Sequence, residues 1–201
     1  MAVESTIRSG SAFTILTDGY NLSGALATAT SPTYSYYTGG TVPGTFRTVN
    51  GSNVTGTLYS LAVPSAHTDN GVILLTAASG IMAQQFQIFP DGPIKGTAQR
   101  VVFLKQLAST GLFDAGTTPP TVEWFVPGSS TPSTLTATVF GTTSHAPFWY
   151  VDLTSGMTNV DSGVLRVTGS GLIPLSIPIF FSTTASGGGG GGGSSQIAIG
   201  F

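Results

Sequence analysis

The two histidines are the first residues to consider for catalysis. His67 stands two residues before Asp69, and serines are plentiful, so a Ser-His-Asp set can be written down. A serine nucleophile of this kind needs a scaffold such as the Gly-x-Ser-x-Gly elbow on a strand-to-helix turn, and the chain has no such motif. Residues 67–71 end in Asp-Asn-Gly, which is typical of a hairpin turn. We therefore predict a turn here and no catalytic histidine.

The acidic residues are too scattered to form a catalytic or metal-binding set. Glycoside hydrolysis needs two carboxyl groups in one cleft, and metal sites need several ligands at regular spacing. Glu4 and Glu123 are the only glutamates, and Asp152 and Asp161, around one hairpin, are the nearest approach to a pair. The sequence therefore predicts no catalytic residue, no metal and no cofactor, and a protein that is not an enzyme.

Aromatic residues are the remaining candidates for binding, because exposed rings stack on sugars. Tyr34, Tyr36 and Tyr37 form one cluster, and Trp149 lies between two further aromatics. Neighbouring residues of a strand point to opposite faces, so part of each cluster must face a core. Core packing is the favoured interpretation of these four residues, and contact with a glycan or a partner is the alternative.

The C-terminal residues 182–201 differ sharply from the rest of the chain. Seven glycines, 187–193, precede the terminal sequence Gln196-Ile197-Ala198-Ile199-Gly200-Phe201. Seven flexible residues reach on the order of 15 Å, and Ile197, Ile199 and Phe201 alternate at strand spacing. We predict that Gln196, Ile197, Ala198, Ile199 and Phe201 contact another subunit by pairing with its edge strand. A frayed terminus without a function is the alternative.

Composition restricts the partners. Charged residues make up 7% of the 201 residues and the net charge is −2, against about 25% charged residues in an average globular protein. Such a surface suits a protein embedded among neighbours. The six basic residues are scattered, which disfavours nucleic-acid binding because phosphates need a basic stripe. The absence of cysteine removes disulfides and thiolate sites.

No segment has the pattern of a membrane span or a secretory signal. The longest apolar run, residues 171–181, is interrupted by Pro174 and Pro178 and is too short to cross a bilayer. The N-terminus has an early acid at Glu4 and lacks the apolar core of a signal peptide. We expect synthesis in a cytoplasm and no membrane partner.

Two stretches, residues 58–76 and 150–168, read as copies of one unit. Leu61 and Leu153, and likewise Gly71 and Gly163, are 92 residues apart, and both copies continue into Ser-Gly and another apolar run. A repeat of this length approaches the size of an independent domain. We predict a first repeat at 1–92, a second at 93–181 and a tail at 182–201, with the boundary in the turn-forming residues 90–96.

The pattern of the whole chain is that of short strands. Period-two alternation and β-branched or aromatic runs are bounded by Gly, Pro, Asn and Ser, and no window keeps a helical period. About six strands per repeat predict an all-β protein of two tandem antiparallel β-sandwiches, Ig-like but without a disulfide, with a flexible Gly-rich tail.

Two motifs resemble structural proteins of tailed bacteriophages. Residues 17–24 read Thr-Asp-Gly-Tyr-Asn-Leu-Ser-Gly, similar to an opening found in such proteins. Residues 149–154 and 161–171 resemble a phage pattern in which an aromatic strand, a Leu-Thr turn and a Gly-led strand precede the last strand of an Ig-like module.

The resemblance implies a virion protein that forms homo-oligomers and contacts other virion proteins, such as capsid or tail subunits. Our first expectation is capsid decoration. The alternatives are a neck, tail or fibre-associated protein, or a carbohydrate-binding adhesin module for host attachment.

Overall fold

The structure is a computed structural model that describes residues 13–28, 33–38, 45–50, 52–63, 71–76, 82, 84–89, 93–142, 147–183 and 196–200. Within these ranges every regular element is a β-strand, and all hydrogen-bonded strand pairs are antiparallel. The all-β expectation is therefore confirmed for the part of the chain that is described.

Fifteen strands are present in the described ranges. They are β1 Phe13–Asp18, β2 Thr33–Thr38, β3 Thr45–Asn50, β4 Ser52–Thr55, β5 Leu58–Val63, β6 Gly71–Thr76, β7 Gln84–Phe89, β8 Gln99–Phe103, β9 Thr121–Phe125, β10 Ser133–Leu135, β11 Thr138–Thr142, β12 Pro147–Leu153, β13 Ser162–Thr168, β14 Leu175–Phe180 and β15 Gln196–Gly200.

Strands β8 to β14 form two sheets around one core. The order is β10-β9-β13-β14 in the four-stranded sheet and β11-β12-β8 in the three-stranded sheet. Both sheets contribute side chains to the same buried cluster, which makes this region sandwich-like. Its members come from five strands and the residues beside them: Val101, Phe103, Val122, Trp124, Ala137, Trp149, Val151, Leu153, Leu165, Val167, Leu175, Ile177, Ile179 and Phe181.

Alternation along each strand produces this core. In β13, Gly163, Leu165 and Val167 are buried, whereas Val164 and Arg166 between them are exposed. β14 follows the same rule, with Leu175 buried and Ser176 exposed. Each large apolar side chain that is fully buried contributes about 1.5–3 kcal/mol. The hydrophobic pattern thus fixes the register of both strands.

Strands β1 to β7 form two sheets with a matching strand order. One is β1-β5-β4, and the other is β15-β7-β6-β2-β3. If β1 corresponds to β8, β2 to β9 and so on to β7 and β14, the orders of the two halves are the same except for the added β15. Tyr36 on β2 pairs with Ile73 on β6 as Trp124 on β9 pairs with Leu165 on β13. β13 follows β6 at the 92-residue offset, whereas β9 follows β2 at a shorter one.

The strand expectations differ from the structure at two places. Residues 135–140 read as one strand, but β10 ends at Leu135 and β11 begins at Thr138, in the other sheet. Residues 56–63 likewise read as one strand, whereas residues 56 and 57 form a turn between β4 and β5. A local alternating pattern records neither the hairpin turn between two strands of one sheet, as between β4 and β5, nor the passage from one sheet to the other, as between β10 and β11.

The predicted boundary region runs beside the end of β14. The backbone N–H of Lys95 donates to the carbonyl of Ser182 at 2.8 Å, and that of Ser182 donates to Pro93 at 3.0 Å. Ile94 and Ser182 form a parallel bridge. These hydrogen bonds join the beginning and the end of residues 93–183. The limits of the two repeats, 1–92 and 93–181, stay a prediction.

Candidate functional site

The outer face of the four-stranded sheet has a row of apolar side chains. Val164 on β13 lies opposite Phe125 on β9 on one side and Pro178 on β14 on the other. Val164 is 37% exposed, and Phe180, two residues along β14, is 48% exposed. We call Phe125, Val164, Pro178 and Phe180 the apolar row. Apolar side chains adjacent on one sheet face suit contact with another protein surface.

A polar row runs alongside the apolar row on the same face. Glu123 on β9 lies opposite Arg166 on β13, and Ser176 on β14 lies on the other side of Arg166. Directly opposed strand residues of opposite charge attract each other. Polar side chains that interact with water thus border one edge of the apolar row.

Sequence interpretation missed the apolar row, although the sequence carries a signal for it. Trp124-Phe125, Val164-Leu165 and Phe180-Phe181 are pairs of adjacent large apolar residues. Adjacent strand residues face opposite sides, so only one member of each pair can enter a given core. The other member, Phe125, Val164 or Phe180, must lie on the outer face.

The three-stranded sheet has a different outer surface. The Arg100 guanidinium on β8 donates to both carboxylate oxygens of Asp152 on β12, at 2.7 Å and 2.8 Å. The same guanidinium lies 3.9 Å from the ring centre of Tyr150. Both partners are substantially exposed, so this pair contributes little to stability and defines a polar face.

The C-terminal strand β15 adds to an edge of the five-stranded sheet. It pairs antiparallel with β7, with Gln196 opposite Phe89, Ile197 opposite Ile88, Ala198 opposite Gln87 and Ile199 opposite Phe86. The predicted strand at these residues is present, and its partner here is β7 of the same chain. Phe201 lies outside the described residues. The prediction that this segment contacts another subunit stays a prediction.

Of the four candidate glycan-contact residues, the structure describes the side chain of Trp149. Its exposed fraction is 1%, because β12 directs it into the core between the two sheets. A ring at this depth has no face available to a sugar. The favoured interpretation of core packing therefore holds for Trp149, and the alternative of glycan or partner contact is corrected for this residue. Tyr34, Tyr36 and Tyr37 lie on β2, and their side chains are outside the described residues.

A buried ammonium group lies beside Trp149. Lys105 Nζ is 2.8 Å from Asp114 Oδ2, donates to the carbonyl oxygen of Thr118 at 2.8 Å, and lies 4.9 Å from the ring centre of Trp149. The Lys105 side chain is 1% exposed and that of Asp114 is 18% exposed. These contacts fasten residues 104–120, the connection between β8 and β9, against the core.

Asp114 has a pKa below its ordinary value. Burial acts in the opposite direction and raises the pKa, but three effects together outweigh it. They are the hydrogen bond from Lys105, the hydrogen bond from the backbone N–H of Gly116, and the positive charge of Lys105. The carboxylate is therefore ionised at neutral pH and holds Lys105 in place, which is a structural role.

The residues considered for catalysis do not form a site in the described part of the chain. Asp152 binds Arg100, whereas Asp161 binds Lys95 at 2.7 Å, so the two carboxylates serve separate ion pairs. His67, Asp69 and His145 lie outside the described residues. Among the residues that are described, no group of three or more His, Cys, Asp or Glu side chains could hold a metal ion.

The motif at residues 17–24 forms a compact turn. Asn21 Oδ1 accepts hydrogen bonds from the backbone N–H groups of Ser23 and Ala25, both at 3.0 Å. Leu22 lies so close to Gly111 that a Cβ on Gly111 would be 2.7 Å from Leu22 Cδ2. The turn thus touches the β8–β9 connection, and Gly111 leaves the space for this contact.

No family model, no curated protein and no solved structure matches this chain. In the ranges that the structure describes, no helix is long and apolar enough to span a membrane.

Proposed function

We propose that this protein is a non-enzymatic structural component of a bacteriophage virion and that it decorates the capsid. Its work in this role is to pack against neighbouring subunits, repeatedly, under the symmetry of the particle. The observation that carries the proposal is the apolar row, which presents Val164 and Phe180 on the outer face of the four-stranded sheet. The motif resemblance to phage structural proteins supports the location.

The strand order supports two tandem Ig-like modules. In an Ig-like sandwich, strands B, E and D share one sheet and strands C′, C, F and G share the other. Taken in chain order, β8 to β14 occupy positions B, C, C′, D, E, F and G, and β1 to β7 occupy the same positions. Trp124, buried on β9, stands on strand C, where such domains bury a tryptophan.

The apolar row suits a protein partner better than a small ligand. Its members lie side by side on the exposed face of a sheet, and all four side chains are apolar and chemically unreactive. Stable protein interfaces bury about 800 Å² on each partner, with an apolar centre and a polar rim. The apolar row would supply the centre, and the row of Glu123, Arg166 and Ser176 would supply part of the rim.

One of the four residues that could contact a carbohydrate is excluded from that role. Trp149 lies in the core, so the alternative depends on the three tyrosines of β2. Tyr36 moreover holds the register position in β2 that buried Trp124 holds in β9. We therefore keep packing against virion subunits as the proposed function.

Two matched valines test the proposal. Val164 is 37% exposed in the apolar row, and Val139 is 39% exposed on β11, in the other sheet. We expect Val164→Asp to weaken binding to phage particles assembled without this protein by roughly tenfold or more, because it places a charge in the interface. Val139→Asp should bind like the unsubstituted protein, and both variants should keep its melting temperature. Cosedimentation gives the affinities.

Equal binding by all three proteins contradicts the proposal. Equal loss by both variants also contradicts it, because the effect would then not be specific to the apolar row.

A further inference from the structure

The edge of β7 and the strand β15 form a docking pair within the chain. Five consecutive residues of β15 pair with five of β7, from Gln196 opposite Phe89 to Gly200 opposite Gln85. β15 is the last strand of its sheet and also lies within 8 Å of β14, measured between Cα atoms. Strand addition to a sheet edge is a general mode of peptide recognition, with affinity from backbone hydrogen bonds.

The chain between β14 and β15 is rich in glycine. β14 ends at Phe180 and β15 begins at Gln196, and residues 187–193 between them are all glycine. Residues 184–195 lie outside the described residues, and their composition predicts a flexible tether; a random coil of this length spans roughly 20 Å on average. A tether of this kind gives its strand an effective concentration of about millimolar at the site it reaches. Pairing within one molecule therefore competes with pairing to a neighbour once the local protein concentration exceeds that value.

We propose that β15 exchanges between copies of this chain and pairs with β7 of a second copy. The occupant is a second copy because every copy carries the same β7 edge, so all five register pairs can form again without a new contact. In a virion, symmetry holds copies side by side at high local concentration, which favours the exchanged form. This inference rests on the proposed function and identifies the partner as the chain itself.

Engineered cysteines can detect the exchange directly. The chain has no cysteine, so no native thiol interferes. Gln87 and Ala198 are direct register partners, and opposed residues of antiparallel strands have Cα atoms about 4.5–5.5 Å apart, within the range that a disulfide spans. A single chain with both Gln87→Cys and Ala198→Cys should close its own disulfide under mild oxidation. This closure tests the register.

Mixing two singly substituted chains tests the exchange itself. Pairing of β15 of one copy with β7 of the other brings the two thiols of the Gln87→Cys chain and the Ala198→Cys chain together, so they should link more than random collision allows. We expect the disulfide-linked dimer to increase with protein concentration, and to increase further when residues 187–193 are deleted, because a short tether disfavours pairing within one molecule. The matched control replaces Ala198→Cys with Ile197→Cys, since adjacent strand residues face opposite sides.

Two results would overturn the inference. One is a doubly substituted chain that fails to close, which removes the pairing itself. The other is a mixture that links no better than the mismatched control up to about millimolar protein, with the full or the shortened tether. If the exchange fails while Val164→Asp still loses binding to particles, the proposed function stands without it. If the exchange succeeds while the protein ignores particles, the proposed function fails alone.

Discussion

Lys105 shows how a single buried charge can organise a long connection. Its ammonium group touches Asp114, the carbonyl of Thr118 and the ring of Trp149. Every one of these groups except Trp149 lies in residues 104–120, which leave β8 and return to β9. Burying an ammonium group is costly unless it is paired and hydrogen-bonded, and here both conditions are met.

We predict that Lys105→Met destabilises the fold. The substitution keeps most of the buried volume but leaves Asp114, 18% exposed, without its counter-charge. Removing one partner of a buried pair costs about 3–5 kcal/mol, and the partial exposure of Asp114 places the expected loss near 2–3 kcal/mol. Urea denaturation gives the free energy of unfolding.

Lys95→Met is the matched control for that experiment. Lys95 also binds an aspartate, Asp161, at 2.7 Å, but the Asp161 side chain is 90% exposed. Exposed ion pairs contribute little to stability, so this substitution should leave the free energy of unfolding nearly unchanged. If both variants lose the same free energy of unfolding, burial is not what makes the Lys105 pair important.

The sequence could have revealed part of this residue-scale picture. Lys105 directly follows the apolar run Val101-Val102-Phe103-Leu104, which places it at the end of a predicted core strand. Its burial could not be predicted, because lysine is rarely buried unless it is paired. The residues that contact the Lys105 ammonium group could not be predicted from the sequence. Asp114 is nine residues away, and the fold of the intervening chain decides whether the two meet.

At the scale of elements, β9 and β13 approach each other closely at Gly163. A Cβ at this position would lie 2.3 Å from Cη2 and Cζ2 of Trp124, and 2.8 Å from the carbonyl oxygen of Phe125. The indole ring of β9 therefore occupies the space that a side chain on β13 would need. Gly71 holds the equivalent position in the first repeat, at the start of β6.

We predict that Gly163→Ala destabilises the protein by about 1–3 kcal/mol, because a methyl group there forces the Trp124 ring or the strand to move. Gly156→Ala is the control, since the nearest atom to its added Cβ is Thr154 Oγ1 at 3.9 Å. It should stay within about 0.5 kcal/mol of the unsubstituted protein. Thermal unfolding of both variants measures the difference, and a neutral Gly163→Ala would contradict the packing.

Most strands could be predicted because period-two alternation and turn residues mark their bounds in the sequence. Residues 33–38 and 84–89 match β2 and β7 throughout. The strand expected at residues 135–140 failed for a physical reason. Ala137 is buried and Val139 is 39% exposed although they are two residues apart, so the alternation loses its phase where the chain passes from one sheet to the other.

For the whole molecule, the repeat seen in the sequence and the strand orders agree. The halves share one order of seven strands, and β15 is the element that one half has in addition. Low charge, the apolar row and an added terminal strand support the proposal that this protein acts by contact with neighbours. The sequence predicted the repeat because glycines and aromatic strands recur at one offset. It could not predict which edge β15 pairs with, because that depends on long-range geometry.

The most direct test of the proposed function is quantitative mass spectrometry of purified particles of the phage to which we assign this chain. We predict that the protein is present at a fixed ratio to the capsid subunit and, because decoration follows capsid symmetry, at on the order of hundreds of copies per particle. A few dozen copies per particle would indicate a location at the neck or tail and contradict capsid decoration. Its absence from purified particles would contradict the virion account as a whole.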